Sequence, residues 1–463
     1  MSKKTKTTET KHEKGFAMER YRKNIIQLLS KLIRIPSVKG APAKNAPFGR
    51  ILLGTLKVFL SNAAEQGFRT AELDGKVGYL EFGPEDAPLI AAVCHLDVVP
   101  PGHWPEAFLP KVTDTKIIGR GSADNKGPAV AVFYALKALK DAGYQPKCRL
   151  RLILGLDEES GSQCMAHYCE HAELPVAAFT PDANFPVISA EKGIIGFKIH
   201  YEEPEIPMTA NGLFLTAMEG GTKENVVPEL CRYDLRDQSG KRSAHSVNGK
   251  AAHASTPEEG QNAISTALWE LKEQQISSEF IQWYTENIGF ETNGKSLGIQ
   301  VSDEVSGELT LNIGLVKFDG KTWTLSCDLR YPVTTDGTEF LSTIQQSAAA
   351  IGGSINLGEI SHALPLNLPH EHPLVRTLTE VYNEQTGSAL RPIGIGGGTY
   401  ARALPNTVAF GAVFPGETVN MHQNDEQVSI ESLLRASNIY RSAFLKLDSV
   451  YGAAKESEPG DPD

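Results

Sequence analysis

The stretch Val93–Pro100 reads VCHLDVVP, and it closes an apolar run that begins at Leu89 with a histidine and an aspartate. A short run of this kind, rich in β-formers, predicts a buried strand whose polar tail emerges at its C-terminal end. In open α/β sheets that end is where ligands bind. Four other segments end an apolar strand or loop in acids or imidazole: Asp124 in GRGSADNKGP, Asp157, Glu158 and Glu159 in LGLDEESGS, Asp182 in FTPDANFP, and His422 in FPGETVNMHQNDE.

Working outward, Ile25, Leu28, Leu29 and Leu32 recur at helical spacing until Pro36, and Leu52, Leu56, Phe59 and Ala63 do so until Gly67. A strand over Leu89–Cys94, a helix over Ala129–Ala142 and strands over Leu150–Leu156 and Ala177–Thr180 then alternate, as a largely parallel, doubly wound sheet requires. From about Glu191 the texture becomes strand-rich. Strands over Ile195–Tyr201 and Leu213–Met218, a helix over Ala263–Leu271, paired strands over Leu309–Val316 and Thr322–Leu329, a helix over Thr338–Ile351 and a strand over Ser354–Ile360 give the β-α-β-β-α-β order of a ferredoxin-like unit. The expected fold class is α/β, a catalytic domain with a mostly parallel doubly wound sheet plus an inserted ferredoxin-like α+β lid domain. The expected boundaries are 15–194 and 367–452 for the catalytic domain and 195–366 for the lid, with flexible tails at 1–14 and 453–463.

The formal net charge of -11 argues against a general nucleic-acid binder, which needs clustered Lys and Arg. No apolar run reaches membrane-spanning length, and MSKKTKTTETKHEK carries no hydrophobic signal core, so a soluble, cytoplasmic protein is expected, with no membrane partner. The six cysteines form no CxxC pair, which fits reduced, buried thiols.

The acids that end the first domain's strands would gather at one sheet edge and repel one another unless a multivalent cation neutralised them. Two imidazoles among carboxylates suit zinc or a similar divalent ion. Each residue taken alone has a plainer reading: Asp124 can cap the helix near Pro128, Asp157–Glu159 can favour a helix N-terminus, and Asp182 after Pro181 is ordinary turn chemistry. The run His167-Tyr168-Cys169-Glu170-His171 has inverted-zincin spacing, but lacks an identifiable later acidic ligand and is read as an exposed helix. The glycines Gly394 to Gly398 lack the strand, helix and acid of a nucleotide motif.

The H-x-D at His95, the later Asp124, the Glu-Glu pair, Asp182 and the late His422 together resemble the dinuclear zinc metallopeptidase family of aminoacylases, succinyl-diaminopimelate desuccinylases, carnosinases and PepV-type dipeptidases. GRGSADNKGP, the long insert and GGGTYAR look most like the PepV type. The resemblance runs from LIRIPSV at Leu32 past His422. It implies that His95 and Asp182 hold one ion, Glu159 and His422 the other, and that Asp124 bridges them. It further implies that Asp97 tunes the His95 ligand and the catalytic carboxylate, and that Glu158 is the general base for attack by a metal-bridged hydroxide. In the lid it implies substrate roles for His253, Asn225 and Arg330, and it places the loop Gly397-Gly398-Thr399 near the substrate's C-terminal end.

The expected function is therefore a zinc-dependent dipeptidase with two Zn2+ ions, Mn2+ or Co2+ being able to substitute, that hydrolyses dipeptides with a free N-terminus. The alternatives are an N-acyl amino acid deacylase or carnosinase-like amidohydrolase, and, in another class, a catalytically silent binding protein on the same fold. A small peptide is the expected partner, and a monomer the expected state, with a homodimer as alternative.

Overall fold

A computed structural model describes residues 18–453. The segments read as tails, 1–14 and 453–463, lie outside the described residues apart from Ala453. The chain divides into two compact units. One carries the described residues up to Ser189, Leu368–Ile393 and those from Thr399 onward; the other carries Ala190–Asn367 and Gly394–Gly398.

The first unit is built on a mixed sheet. Its strands stand in the order Arg69–Leu73, Val77–Phe82, Arg149–Gly155, Leu89–His95, Ala177–Thr180, Thr407–Phe410 and Val187–Glu191. The four strands from Arg149–Gly155 to Thr407–Phe410 are parallel; the hairpin on one side and Val187–Glu191 on the other pair antiparallel. Leu89–His95 is buried at every position, as expected of a central strand covered on both faces. The helices Arg22–Ile33, Arg50–Glu65 and Lys126–Asp141 bury Ile25, Leu29, Leu56, Phe59 and Phe133 in one core with it. The last described helix, Ile430–Gly452, completes that core through Tyr440, Phe444 and Leu447.

Register places the chemistry. His95 pairs with Gly155, so the strand that ends in His95 and the strand that precedes Asp157, Glu158 and Glu159 finish level with each other. The Thr180 hydroxyl donates to the Val93 carbonyl at 2.8 Å, which brings the end of the third strand, and Asp182 just beyond it, to the same edge. Gly155 is required at this point, because a Cβ there would meet the Tyr400 hydroxyl at 2.3 Å.

The second unit is an antiparallel sheet in the order Arg242–Asn248, Leu230–Arg236, Phe214–Gly220, Thr310–Phe318, Thr322–Tyr331, Gly193–Glu202 and Ser354–Ile355. The helices Ala263–Glu273, Glu279–Asn287 and Thr338–Ala349 share its core through Leu268, Tyr284 and Ile344. Two details differ from the sequence expectation. The hairpin of Leu230–Arg236 and Arg242–Asn248 extends the sheet, although Arg242–Asn248 is mostly exposed and polar and so lacks an apolar stripe. The strand expected over Ser354–Ile360 breaks into Ser354–Ile355, a 3-10 turn and Ser361–Ala363, because Asn356 caps the turn through the Gly358 N–H.

Candidate metal centre

Six side chains from five loops of the first unit meet at the level strand ends. His95 Nε2 lies 2.9 Å from Asp124 Oδ1 and 3.5 Å from Asp182 Oδ1. His422 Nε2 lies 2.9 Å from Asp124 Oδ2 and 3.2 Å from Glu159 Oε1. Two trios result, His95 with Asp124 and Asp182, and Asp124 with Glu159 and His422, each with its donor atoms within 4.8 Å of one another. The two oxygens of Asp124 face different trios. Glu158, the sixth residue, belongs to neither.

Local structure explains the placement. The helix after Asp124 begins at Lys126 with Asn125 as its N-cap and no side-chain cap bond, so the Asp124 carboxylate is not spent on capping. Asn125 donates its amide to the Pro181 carbonyl at 2.8 Å and to Asp182 Oδ1 at 2.9 Å, tying the two acidic loops together. Lys126, fully buried, donates to the carbonyls of Leu32 and Ile35 at 2.9 Å each and anchors the motif to the end of a helix. Asp97 accepts the backbone N–H of Glu158 at 3.2 Å and of Glu159 at 3.1 Å. His95 Nδ1 donates to the Asp97 carbonyl at 3.0 Å, which turns Nε2 toward Asp124. His422 stands in the left-handed region at φ 62°, between Asn420 and Asp425, which do the same.

The electrostatics are those of a charge cluster sharing protons. Two carboxylates 4 Å apart repel by about 4 kcal/mol at an effective dielectric of about 20. Burial pushes the Glu158 carboxyl well up, and the charge of Asp182 adds to that. Burial likewise raises Glu159 and Asp182. The imidazoles respond in the opposite sense. His422, bonded to Asp124 and then Glu159, is pushed up to about 10. For His95 burial pulls down, but Asp182, Asp124 and Asp97 outweigh it and the group ends well above its ordinary value. Burial would raise Asp124, yet its bonds to His422 and His95 hold it well below the usual carboxylate range. Each imidazole thus presents Nε2 to two carboxylates. The donor set of nitrogen and carboxylate oxygen, with one carboxylate reaching both trios, fits a pair of divalent ions.

Residues 91–446 match the model of peptidase family M20/M25/M40. The chain belongs to this family. It is 35% identical to "Putative dipeptidase YtjP" of Bacillus subtilis, over 92% of this chain and 98% of that protein. In fold it is similar to human carnosine dipeptidase 1, with a TM-score of 0.59 at 14% identity over 95% of this chain and 99% of the other. It is also similar to the Bacillus subtilis YXEP protein, described as a dinuclear metal binding peptidase from the M20 family, with a TM-score of 0.55 at 12% identity over 94% and 99%. This M20-family chain is accordingly a peptide-bond hydrolase, and the two trios at its strand ends are candidate metal-binding groups. None of its described helices is long and apolar enough to cross a membrane.

The remaining residues singled out in this M20-family sequence lie in the second unit, save Thr399. Arg330 is 3% exposed and is gripped by Asp328, from Nε to Oδ1 at 2.9 Å and from Nη2 to Oδ2 at 3.0 Å, while Nη1 donates to the Gly396 carbonyl at 2.8 Å. The bridge between Val226 and His253 sets Asn225 beside the histidine's segment, and Ala254 donates to the Asn225 carbonyl at 3.0 Å. His253 Nδ1 accepts the Ser255 N–H at 3.3 Å and lies 2.7 Å from the Ser255 hydroxyl. Gly397 and Gly398 follow Gly396 in the loop that meets Arg330, and Thr399 accepts the Ala401 N–H at 3.1 Å in the first unit.

Asn125, Asp328 and Asn312 were not singled out in the sequence. Asn312 donates to the carbonyls of Glu224 and Val226 and so holds the Asn225 loop. Their one signal is position: Asn125 follows Asp124, and Asp328 stands two residues before Arg330 on the same strand face. The segment His167–His171 is helical, but His167 is buried rather than exposed. Both of its ring nitrogens are engaged, Nε2 by Asp74 at 2.9 Å and Nδ1 by Lys76 at 3.3 Å, which accounts for this histidine without a metal.

Proposed function

We propose that this M20-family enzyme hydrolyses dipeptides with a free N-terminus, using two zinc ions, one on His95, Asp124 and Asp182 and one on Asp124, Glu159 and His422. The observation that carries the reading is the shared carboxylate of Asp124, with an imidazole 2.9 Å from each of its oxygens. The dipeptide preference is supported by the relative named as a putative dipeptidase, which matches over nearly the whole length of both chains. Nitrogen and carboxylate donors accept zinc well, and Mn2+ or Co2+ would also be accommodated.

Bound there, a pair of divalent cations supplies Lewis acidity, which acidifies water and polarises the scissile carbonyl. Glu158 is the proton carrier. It lines the cluster yet joins neither trio, so its carboxylate takes a proton from the attacking water and returns it to the leaving amine. Asp97 fixes the backbone of Glu158 and the ring of His95 at once. Arg330, with its fork oriented by Asp328, binds the substrate carboxylate, and Asn225 and His253 donate to the substrate's carbonyl side.

The test is turnover of a substrate panel by metal-replete protein, before and after chelation. Free-amine dipeptides should be cleaved, their N-acylated counterparts should not, and chelation should abolish activity until metal is restored. A preference for N-acyl substrates would identify a deacylase. Ligand binding without turnover would identify a silent binding protein.

A further inference from the structure

Four residues after His422 stands Glu426, which is 0% exposed. Its carboxylate is surrounded by donors from one short segment. Oε2 accepts Arg120 Nη1 at 2.8 Å and the Gly121 N–H at 3.1 Å. Oε1 accepts the Ala123 N–H at 2.9 Å and the Asp124 N–H at 3.1 Å. The Glu426 carbonyl also accepts the Gly119 N–H at 2.9 Å, and the next strand, Gln427–Ser429, pairs with Lys116–Ile118. The whole run from Lys116 to Asp124 is thus folded around the base of the loop that carries His422.

A buried charge of this kind is a poor device for stability alone, since an apolar side chain of similar volume usually serves as well. What a carboxylate can do and an apolar group cannot is collect four donors and fix the backbone that presents them. The backbone it fixes ends on Asp124, the one residue common to both trios, and the loop it belongs to carries His422. Metal sites tolerate errors of only about 0.2 Å in ligand distance, so this register matters at the cation.

We propose that Glu426 is a positioning residue that sets Asp124 against His422 and governs how tightly the cation of the Asp124, Glu159 and His422 trio is held, more than the other. The inference rests on the ligand assignment given under Proposed function. The carboxylate, rather than its shape, is what acts. A glutamine keeps the volume but must turn its NH2 toward one pair of donors, so E426Q disrupts the nest.

The matched control is Asp448, a second buried carboxylate in the same unit, which accepts the Tyr144 hydroxyl at 2.6 Å and the Lys147 and Cys148 N–H groups at 3.1 and 2.7 Å. It lies by the start of the strand Arg149–Gly155, away from the trios at that strand's other end. Full-length wild type, E426Q, D448N and D124N would be stripped of metal and titrated with Zn2+ against a competing chromophoric chelator, with melting curves alongside. For E426Q we expect one of two cations to bind about 10–100-fold more weakly, the other staying within a few-fold of wild type. D448N should melt earlier with both affinities intact. Should E426Q fail to fold, E426D, which keeps the charge one methylene short, should weaken the same cation. If the Glu426 variants only lower the melting temperature, as D448N does, the positioning role is wrong. If D124N retains both cations, the ligand assignment fails instead, and the proposal with it.

Discussion

Asp97 accepts the backbone N–H of Glu159 at 3.1 Å through Oδ2, while its other oxygen accepts that of Glu158 at 3.2 Å. One carboxylate therefore holds the turn carrying both acids, and its own backbone carbonyl orients His95. D97A should weaken metal binding about 10–100-fold, the usual cost of losing such a partner. D97N, which keeps one acceptor oxygen, should fall between D97A and wild type. Chelator competition measures both, and equal affinity for D97A and wild type would refute the role.

Glu158 and Glu159 separate by a different experiment. E158Q should lower kcat by about 10²–10⁴-fold, the loss expected when a general base is removed, while both metals remain bound. E159Q should lose a metal, because Glu159 belongs to a trio and Glu158 does not. Metal analysis of the two purified variants beside their kinetics checks the division, and metal loss from E158Q would reverse it.

Much of this site is legible in the sequence because strand register does the assembling. The apolar runs that end in His95, Glu159 and Asp182 are parallel neighbours, and parallel strands finish at one edge by construction. His422 could be placed only through its resemblance to a family motif, since its loop has no periodicity. The supports are hidden for a physical reason: Asn125 acts by hydrogen bonds to Pro181 and Asp182 and Asp328 by its grip on Arg330, and an amide or a carboxylate near such residues has no distinguishing pattern in a single sequence. The exposed strand Arg242–Asn248 carries no such signal, because a polar edge strand has no apolar face to read.

Arg330 offers a test of substrate recognition. Asp328 grips the guanidinium at two points, so the fork is held in one orientation before any ligand arrives. R330K keeps the charge but not the fork, and it should raise KM for dipeptides by about tenfold or more with a smaller effect on kcat, corresponding to the loss of a charge-assisted bond of about 1.5–3 kcal/mol. Dipeptide amides, which lack the carboxylate, should respond little to the same substitution. Equal losses on acids and amides would remove Arg330 from carboxylate binding.

Glu203 predicts a pH dependence that belongs to folding rather than catalysis. It is 5% exposed, and a single oxygen, Oε1, accepts the Ser278 hydroxyl and Trp323 Nε1, the latter at 2.9 Å. Burial raises its carboxyl above the ordinary range, and these two bonds offset only part of that. A carboxyl that is harder to ionise folded than unfolded binds more protons in the native state, so stability falls as pH rises from the unfolded value of about 4.3 through the folded one. E203Q retains an acceptor oxygen for both donors and has no charge to bury. Its melting temperature should match wild type at pH 4 and exceed it increasingly up to the raised pKa, with a constant advantage above. Melting curves across that range decide the matter, and a variant less stable than wild type at pH 8 would show that the ionised carboxylate is preferred in the core.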